Sequence, residues 1–201
     1  MTDISSELPV FGVVEGSLDE VVLLRLAGDF NLPLGPVHVK NGKDHLRRHI
    51  KGYNQAAQSS YWIVLVDLNH EAECAPDLID NWLPKRIPRL IFRVVVREVE
   101  AWLLADRERI AHFLGVSEAR VPRNPDLLDD PKRKVIELAK KSRKRKIIED
   151  MVARIDSGRI IGNAYTSRLS DFVRSDWCPK TAANNSDSLK RCLKRLAEIR
   201  R

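Results

Sequence analysis

The sequence twice runs an apolar stretch into an acidic residue. Val10-Phe-Gly-Val-Val14 ends at Glu15 and Gly16, and Tyr61-Trp-Ile-Val-Leu-Val66 ends at Asp67, with Asn69 and Glu71 close behind. A buried parallel strand reads as a near-continuous apolar run, so both acids are expected at the carboxyl edge of one sheet. Carboxylates gathered there suit a hard divalent ion, Mg2+ or Mn2+, which takes oxygen donors and keeps several waters. Glu15, Asp67, Asn69 and Glu71 are the expected metal ligands, and Glu15 and Asp67 are also expected to be catalytic. A further acidic pair, Glu98 and Glu100, follows the β-branched run Arg89-Leu-Ile-Phe-Arg-Val-Val-Val96. One of them is expected to act as an additional catalytic acid or base. In an extended chain the two share a face; in a helix they lie about 200° apart and only one can face the site. The residues leave both arrangements open.

Such acids need elements to hold them. Ser17 and Glu20 read as a capping box for a helix striped by Val21, Val22, Leu24, Leu26 and Phe30, with Asp19 favouring its positive end. A strand over 35–40, a helix over 44–58, the strand 61–66, a helix over 77–83 closed by Pro84, and the strand 89–96 follow. Residues 97–106, rich in Ala and Leu, continue as helix. This alternation predicts an α/β fold with a parallel sheet flanked by helices. Beyond Gly115 strand signals vanish, which suggests an α/β domain over 1–115 and a basic α-helical extension over 116–201. Asp129-Asp-Pro-Lys132 reads as a helix start, and the helix it opens is expected to carry Lys140, Lys141, Arg143, Lys144, Arg145 and Lys146. A last amphipathic helix begins near Ser186.

Charge divides along the same line. Residues 1–110 carry 13 Lys/Arg against 16 Asp/Glu, a balance of −3, whereas 111–201 carry 22 against 12, a balance of +10. A basic segment beside an acid-bearing sheet is what a protein handling a polyanion requires, so the Lys140–Lys146 cluster is expected to contact the phosphate backbone of DNA or RNA. A charge run taken alone also reads as a solvated surface. No stretch of eighteen apolar residues occurs, and the amino terminus is acidic and polar, so neither membrane association nor a signal peptide is expected and the chain is placed in the cytoplasm. The three cysteines are odd in number and lack CxxC spacing, which argues against a disulfide framework or a zinc knuckle.

Taken together, Val-Val-Glu15-Gly-x-x-Asp19 and the strand ending Asp67-x-Asn69 resemble the Toprim fold of topoisomerases, primases and related nucleases. That signature has a glutamate after the first strand and Asp-x-Asp after the third; Glu15 and Asp67 match it, and Asn69 stands where a second aspartate is usual. Arg97-Glu-Val-Glu-Ala-Trp-Leu-Leu-Ala-Asp106, Asp-Asp-Pro-Lys132 and Tyr165-Thr-Ser-Arg-Leu-Ser-Asp-Phe-Val173 are similar to the uncharacterised Toprim-like bacterial family catalogued as domain of unknown function 4276. The resemblance implies a Rossmann-like parallel sheet and a metal-dependent nuclease of a bacterial defence or mobile-element system, akin to overcoming-lysogenization proteins. It also implies an ATPase as a separately encoded partner. The chain lacks a Gly-x-x-x-x-Gly-Lys-Ser loop, a Gly-x-Ser-x-Gly elbow and a Gly-x-Gly-x-x-Gly turn. His45 and His49 stand i, i+4 without the HExxH glutamate, and His70 lies beside the acidic cluster. Asp19 and Asp106 read as helix caps or braces. The competing expectation is a noncatalytic nucleic-acid-binding or regulatory subunit of a partner ATPase, because the neutral Asn69 removes one charge from the acidic set.

Overall fold

Apolar runs long enough to cross a sheet become strands, and helices return the chain between them. The computed structural model describes residues 8–40, 42–154 and 158–199 and contains one sheet of four strands: β1 (Val10–Val14), β2 (Leu34–Val39), β3 (Tyr61–Asp67) and β4 (Leu90–Val95). All pairings are parallel, in the order β2-β1-β3-β4. The chain moves outward from β1 to β2, then crosses to the other side of β1 for β3. The order therefore reverses between β1 and β3, and their carboxyl ends flank the crevice where open α/β sheets bind ligands. The α/β class and the parallel sheet expected from the sequence are both present. The polar amino-terminal residues 1–7, and residues 155–157 and 200–201 of the basic segment, lie outside the described residues.

Alternation along each strand sends side chains to opposite faces. Val10, Val14, Ile63, Leu65, Ile91 and Val95 enter one apolar cluster, whereas Val13, Val64, Val66, Leu90, Phe92 and Val94 enter another. The second cluster is closed by α2 (Lys43–Ala56) and α3 (Ala75–Trp82), through Leu46, Ile50, Leu78 and Trp82. The first is closed by α1 (Ser17–Asp29), α4 (Val99–Ala105) and α5 (Arg107–Leu114), together with five helices from the basic segment. These are α6 (Pro131–Lys140), α7 (Arg145–Met151), α8 (Tyr165–Ser175), α9 (Pro179–Ala182) and α10 (Asp187–Ala197).

The basic segment thus shares a core with the sheet. Trp102 of α4 donates its indole N–H to Ser188 Oγ at 2.7 Å, and Trp177 donates to the Trp102 carbonyl at 3.2 Å. Both rings are fully buried. No helix among the described residues is long and apolar enough to cross a membrane.

Helix starts differ in detail from the sequence expectation. α1 is capped one residue earlier than Ser17: Gly16 is the N-cap, and Asp19 accepts its N–H at 3.0 Å, so Asp19 plays the part assigned to Glu20. A Cβ on Gly16 would stand 3.0 Å from Asp19 Oδ2, so glycine admits this close approach. α6 begins as the sequence suggests, with Pro131 in the first turn and Asp130 accepting the Arg133 N–H at 2.7 Å. It ends at Lys140, so the residues from Lys140 to Lys146 do not form one helix. Ser142 Oγ accepts the Lys144 N–H at 2.8 Å, and the Arg143 N–H is drawn to the Gly115 carbonyl at 3.0 Å. Gly115 itself closes α5 in the left-handed region at φ 68°. Contact between these two internal segments coincides with the interruption of the helix.

A shared core predicts shared stability. Leu189→Ala in α10, a position with 0% exposure, should cost about 2–5 kcal/mol. Urea unfolding followed by far-ultraviolet circular dichroism and by tryptophan fluorescence should give one coincident transition. Two separated transitions would show instead that the helices and the sheet unfold independently.

Candidate functional site

The ends of β1 and β3 are tied to each other by an acid. Glu15 leaves β1 and its Oε1 accepts the backbone N–H of Asp67 at 2.9 Å, across the crevice between the two central strands. Asp67 has the same parity as Ile63 and Leu65, so its side chain points to the face covered by α1 and α4. The residue is only partly covered as a whole, but its Oδ1 is shut off from solvent and has no hydrogen-bond partner. Asp19, in the first turn of α1, is 7% exposed and holds its carboxylate at the mouth of the same crevice.

Glu98 and Glu100 divide the arrangements the sequence left open. Glu98 is still extended at φ −143° and ψ 159° and is the N-cap of α4, whereas Glu100 lies inside the helix. The two nevertheless meet at one cation. Glu98 Oε2 accepts the backbone N–H of Lys132 at 3.1 Å, and Lys132 Nζ stands 3.6 Å from Glu98 Oε1 and 3.8 Å from Glu100 Oε1. Glu100 is 2% exposed and also accepts a hydrogen bond from the Tyr165 hydroxyl at 3.1 Å. Asp19, Asp67, Glu100, Lys132 and Tyr165 line a cleft of about 190 Å3, which Glu98 does not enter. Three larger clefts, of about 420, 460 and 270 Å3, are each lined by a single acidic residue, Glu198, Glu149 or Glu71, so chemistry and not size distinguishes the smaller one.

Crowded carboxylates resist ionisation. Burial raises Asp67 well above the ordinary carboxyl range, and repulsion from Asp19, Glu100, Glu15 and Glu98 adds to it. Burial, with Glu100 and Glu15, pushes Asp19 up to about 7. Burial also raises Glu15, against the opposing Asp67 N–H and Lys43 ammonium, and it raises Glu100 against the opposing Lys132. Burial works against the Lys132 charge, but Glu100, Glu98 and Asp67 outweigh it and hold the ammonium above its usual value. The same burial and the adjacent Glu100 carboxylate keep the Tyr165 phenol protonated, a donor and not a base.

The other expected ligands sit at the margin. Asn69 adopts the left-handed region at φ 47°, where asparagine is among the residues most readily accommodated. Its N–H donates to the Arg97 carbonyl at 3.0 Å and its carbonyl accepts from Arg97 Nη1 at 2.6 Å. A turn residue with that backbone accounts for asparagine here without a ligand role. Glu71 is engaged elsewhere: Oε1 accepts from the Trp82 indole at 2.7 Å and Oε2 pairs with Lys43 at 3.1 Å. His45 and His49 stack on each other, ring centroids 4.1 Å apart, and His70 is exposed. Asp106 braces, as expected, by accepting the Cys178 N–H at 2.8 Å.

All six basic residues of the cluster from Lys140 to Lys146 are exposed. Lys144 uses its ammonium to cap α5 at the His112 and Phe113 carbonyls, at 2.8 and 3.2 Å, and Arg145 pairs with Glu149 at 2.8 Å. Lys140, Lys141, Arg143 and Lys146 extend their side chains into solvent.

Sequence reasoning missed three groups of this site. Asp19 reads as a cap and is one, yet its carboxylate also faces Asp67. Lys132 and Tyr165 arrive on α6 and α8, and their only signal in the sequence is their place in the motifs around Asp-Asp-Pro-Lys132 and Tyr165. Among the described residues no three of His, Cys, Asp and Glu are drawn close enough to enclose a metal ion as they stand. No family model, no curated protein and no solved structure matches the chain. Fold and site thus define an α/β protein with a carboxylate-lined cleft at the topological switch point of a parallel sheet, and the Toprim resemblance rests on the motif residues quoted for it.

The raised carboxyls fix the sign of a pH dependence. Stability from a carboxyl raised on folding is fully present below the unfolded value, about pH 4, and is lost as pH rises through the folded value. With divalent ions chelated, Asp19→Asn should therefore match the wild type near about pH 4 and exceed it near about pH 8 by on the order of 1–4 kcal/mol in urea unfolding. An equal or lower stability of the variant at the higher pH would show that Asp19 is not held against its ionisation.

Proposed function

We propose that the cleft is the active site of a Toprim-like, Mg2+- or Mn2+-dependent nuclease that hydrolyses phosphodiester bonds of DNA or RNA. The observation that carries this reading is the buried, partnerless Oδ1 of Asp67, set among Glu15, Asp19 and Glu100. An oxygen donor left open inside a cluster of like charge suits a hard cation, which needs only one or two carboxylates when phosphate oxygens and water complete its shell. Glu15 and Asp67 would hold it, Asp19 stands next to them, and Asn69 and Glu71 lie outside this inner set. When bound, such an ion polarises a phosphoryl oxygen and lowers the pKa of a coordinated water.

The remaining chemistry belongs to the chain. Lys132, partly exposed above Glu98 and Glu100, is placed to hold a phosphate oxygen by its ammonium. Glu100, raised above the ordinary carboxyl range by burial and hydrogen-bonded by Tyr165, is the group placed to exchange a proton. Glu98 positions Lys132 through the α6 backbone. Lys140, Lys141, Arg143 and Lys146 supply a sequence-independent grip on the backbone. The setting we propose is bacterial defence or a mobile element, with a separate ATPase as partner.

A second reading is a noncatalytic nucleic-acid-binding or regulatory subunit of that ATPase. Lys132 favours it, because the ammonium already offsets part of the charge that Glu98 and Glu100 place at the site.

Incubation with labelled DNA and RNA in Mg2+, Mn2+ or EDTA separates the readings. Cleavage should require the metal and fall by about 100-fold or more in Glu15→Gln and in Asp67→Asn, with salt-sensitive binding retained. Binding without cleavage under every metal, by folded protein, would overturn the nuclease reading.

A further inference from the structure

Strand β4 carries at Arg93 a charge that its position does not explain. Ile91 and Val95 point into the apolar cluster beneath α1 and α10, and Arg93, between them, takes the same face. Its Nε is enclosed and has no acceptor. A buried donor without a protein partner is satisfied from outside, by ordered water, an ion or a ligand. Arg93 opens onto a cleft of about 190 Å3, shared with Arg86, Arg195, Pro88, Leu90 and Phe92. None of the described residues lining it is acidic.

The cleft is also partly preorganised. Arg195 Nη2 donates to the Pro88 carbonyl at 2.7 Å, and its Nη1 is paired with Glu198, which fixes the guanidinium at the rim. Burial disfavours the Arg93 charge, and Arg195, Arg191 and Arg86 add repulsion. Arginine does not give up its proton under these conditions, so all three guanidinium groups stay charged, with Arg195 paired to Glu198 and no acidic residue lining the cleft itself. We propose that Arg86, Arg93 and Arg195 form a phosphate-binding cleft. Guanidinium groups match phosphate oxygens in pairs, and a volume equal to roughly six waters accommodates one phosphate group. The cleft is lined by residues from Arg86 to Arg93 and by Arg195 and shares no lining residue with the carboxylate cleft, so the two sites are distinct. The inference therefore stands apart from the nuclease reading.

The phosphate comes either from a free phosphate or mononucleotide, or from the backbone of a nucleic acid. The Nε–Hε signal of Arg93, assigned through bonds from its backbone in a 1H–15N spectrum, reports on both. Inorganic phosphate should shift it saturably, beyond any shift from chloride at matched ionic strength. Arg86→Gln, an exposed position, should weaken that binding about tenfold. A shift by an oligothymidylate of about eight nucleotides, at concentrations where inorganic phosphate has no effect, would assign the site to a nucleic-acid backbone. A shift by phosphate alone would assign it to a small phosphate ligand. The proposal is overturned if neither ligand moves Arg93 more than chloride does, or if Arg86→Gln binds as tightly as the wild type.

Discussion

The arrangement depends on holding like charges together at the carboxyl edge of a parallel sheet. Glu15, Asp19, Asp67 and Glu100 repel one another in a partly desolvated crevice, with Lys43 and Lys132 as the facing cations. In water such carboxylates would separate. Here the backbone prevents it: Glu15 is pinned by the Asp67 N–H, Asp19 by the start of α1, and Glu100 by a helix buried along its whole length. The cost is borne by the core, because α1 and α4 rest on the same apolar cluster as α8 and α10. A rigid scaffold thus maintains an electrostatic conflict, which is how functional sites commonly store unfavourable interactions.

Much of this was legible in the sequence, for local reasons. An apolar run ending in an acid is a one-dimensional pattern, and it located Glu15 and Asp67 because strand ends and sequence ends coincide. Asp130, Pro131 and Ser186 likewise marked helix starts, since a cap contacts residues only two or three positions away. The same logic misplaced the first cap by one residue, because Gly16 has no side chain to announce itself and Asp19 does the capping instead.

What the sequence did not show is long-range. Lys132 and Tyr165 reach Glu100 only after α6 and α8 have packed, across sequence separations of 32 and 65 residues. The break at Ser142 follows from a meeting with Gly115 in the folded chain, which no pattern within 140–146 reveals. The choice between Glu98 and Glu100 had the same character: the chain changes from extended to helical between them, and both carboxylates turn to one lysine. The basic half, set apart by composition, is joined to the sheet through Trp102, Trp177 and Ser188.

On the proposed reading the crowded carboxylates are held ready for a cation. Titration calorimetry of Mn2+ into the protein near about pH 7, in two buffers of different ionisation enthalpy, tests it directly. Saturable binding with release of protons is expected, because a metal ion displaces protons from carboxyls whose affinity for them has been raised, and Asp67→Asn should lose both. Absence of binding by the folded protein, or binding without proton release that Asp67→Asn leaves unchanged, would contradict it.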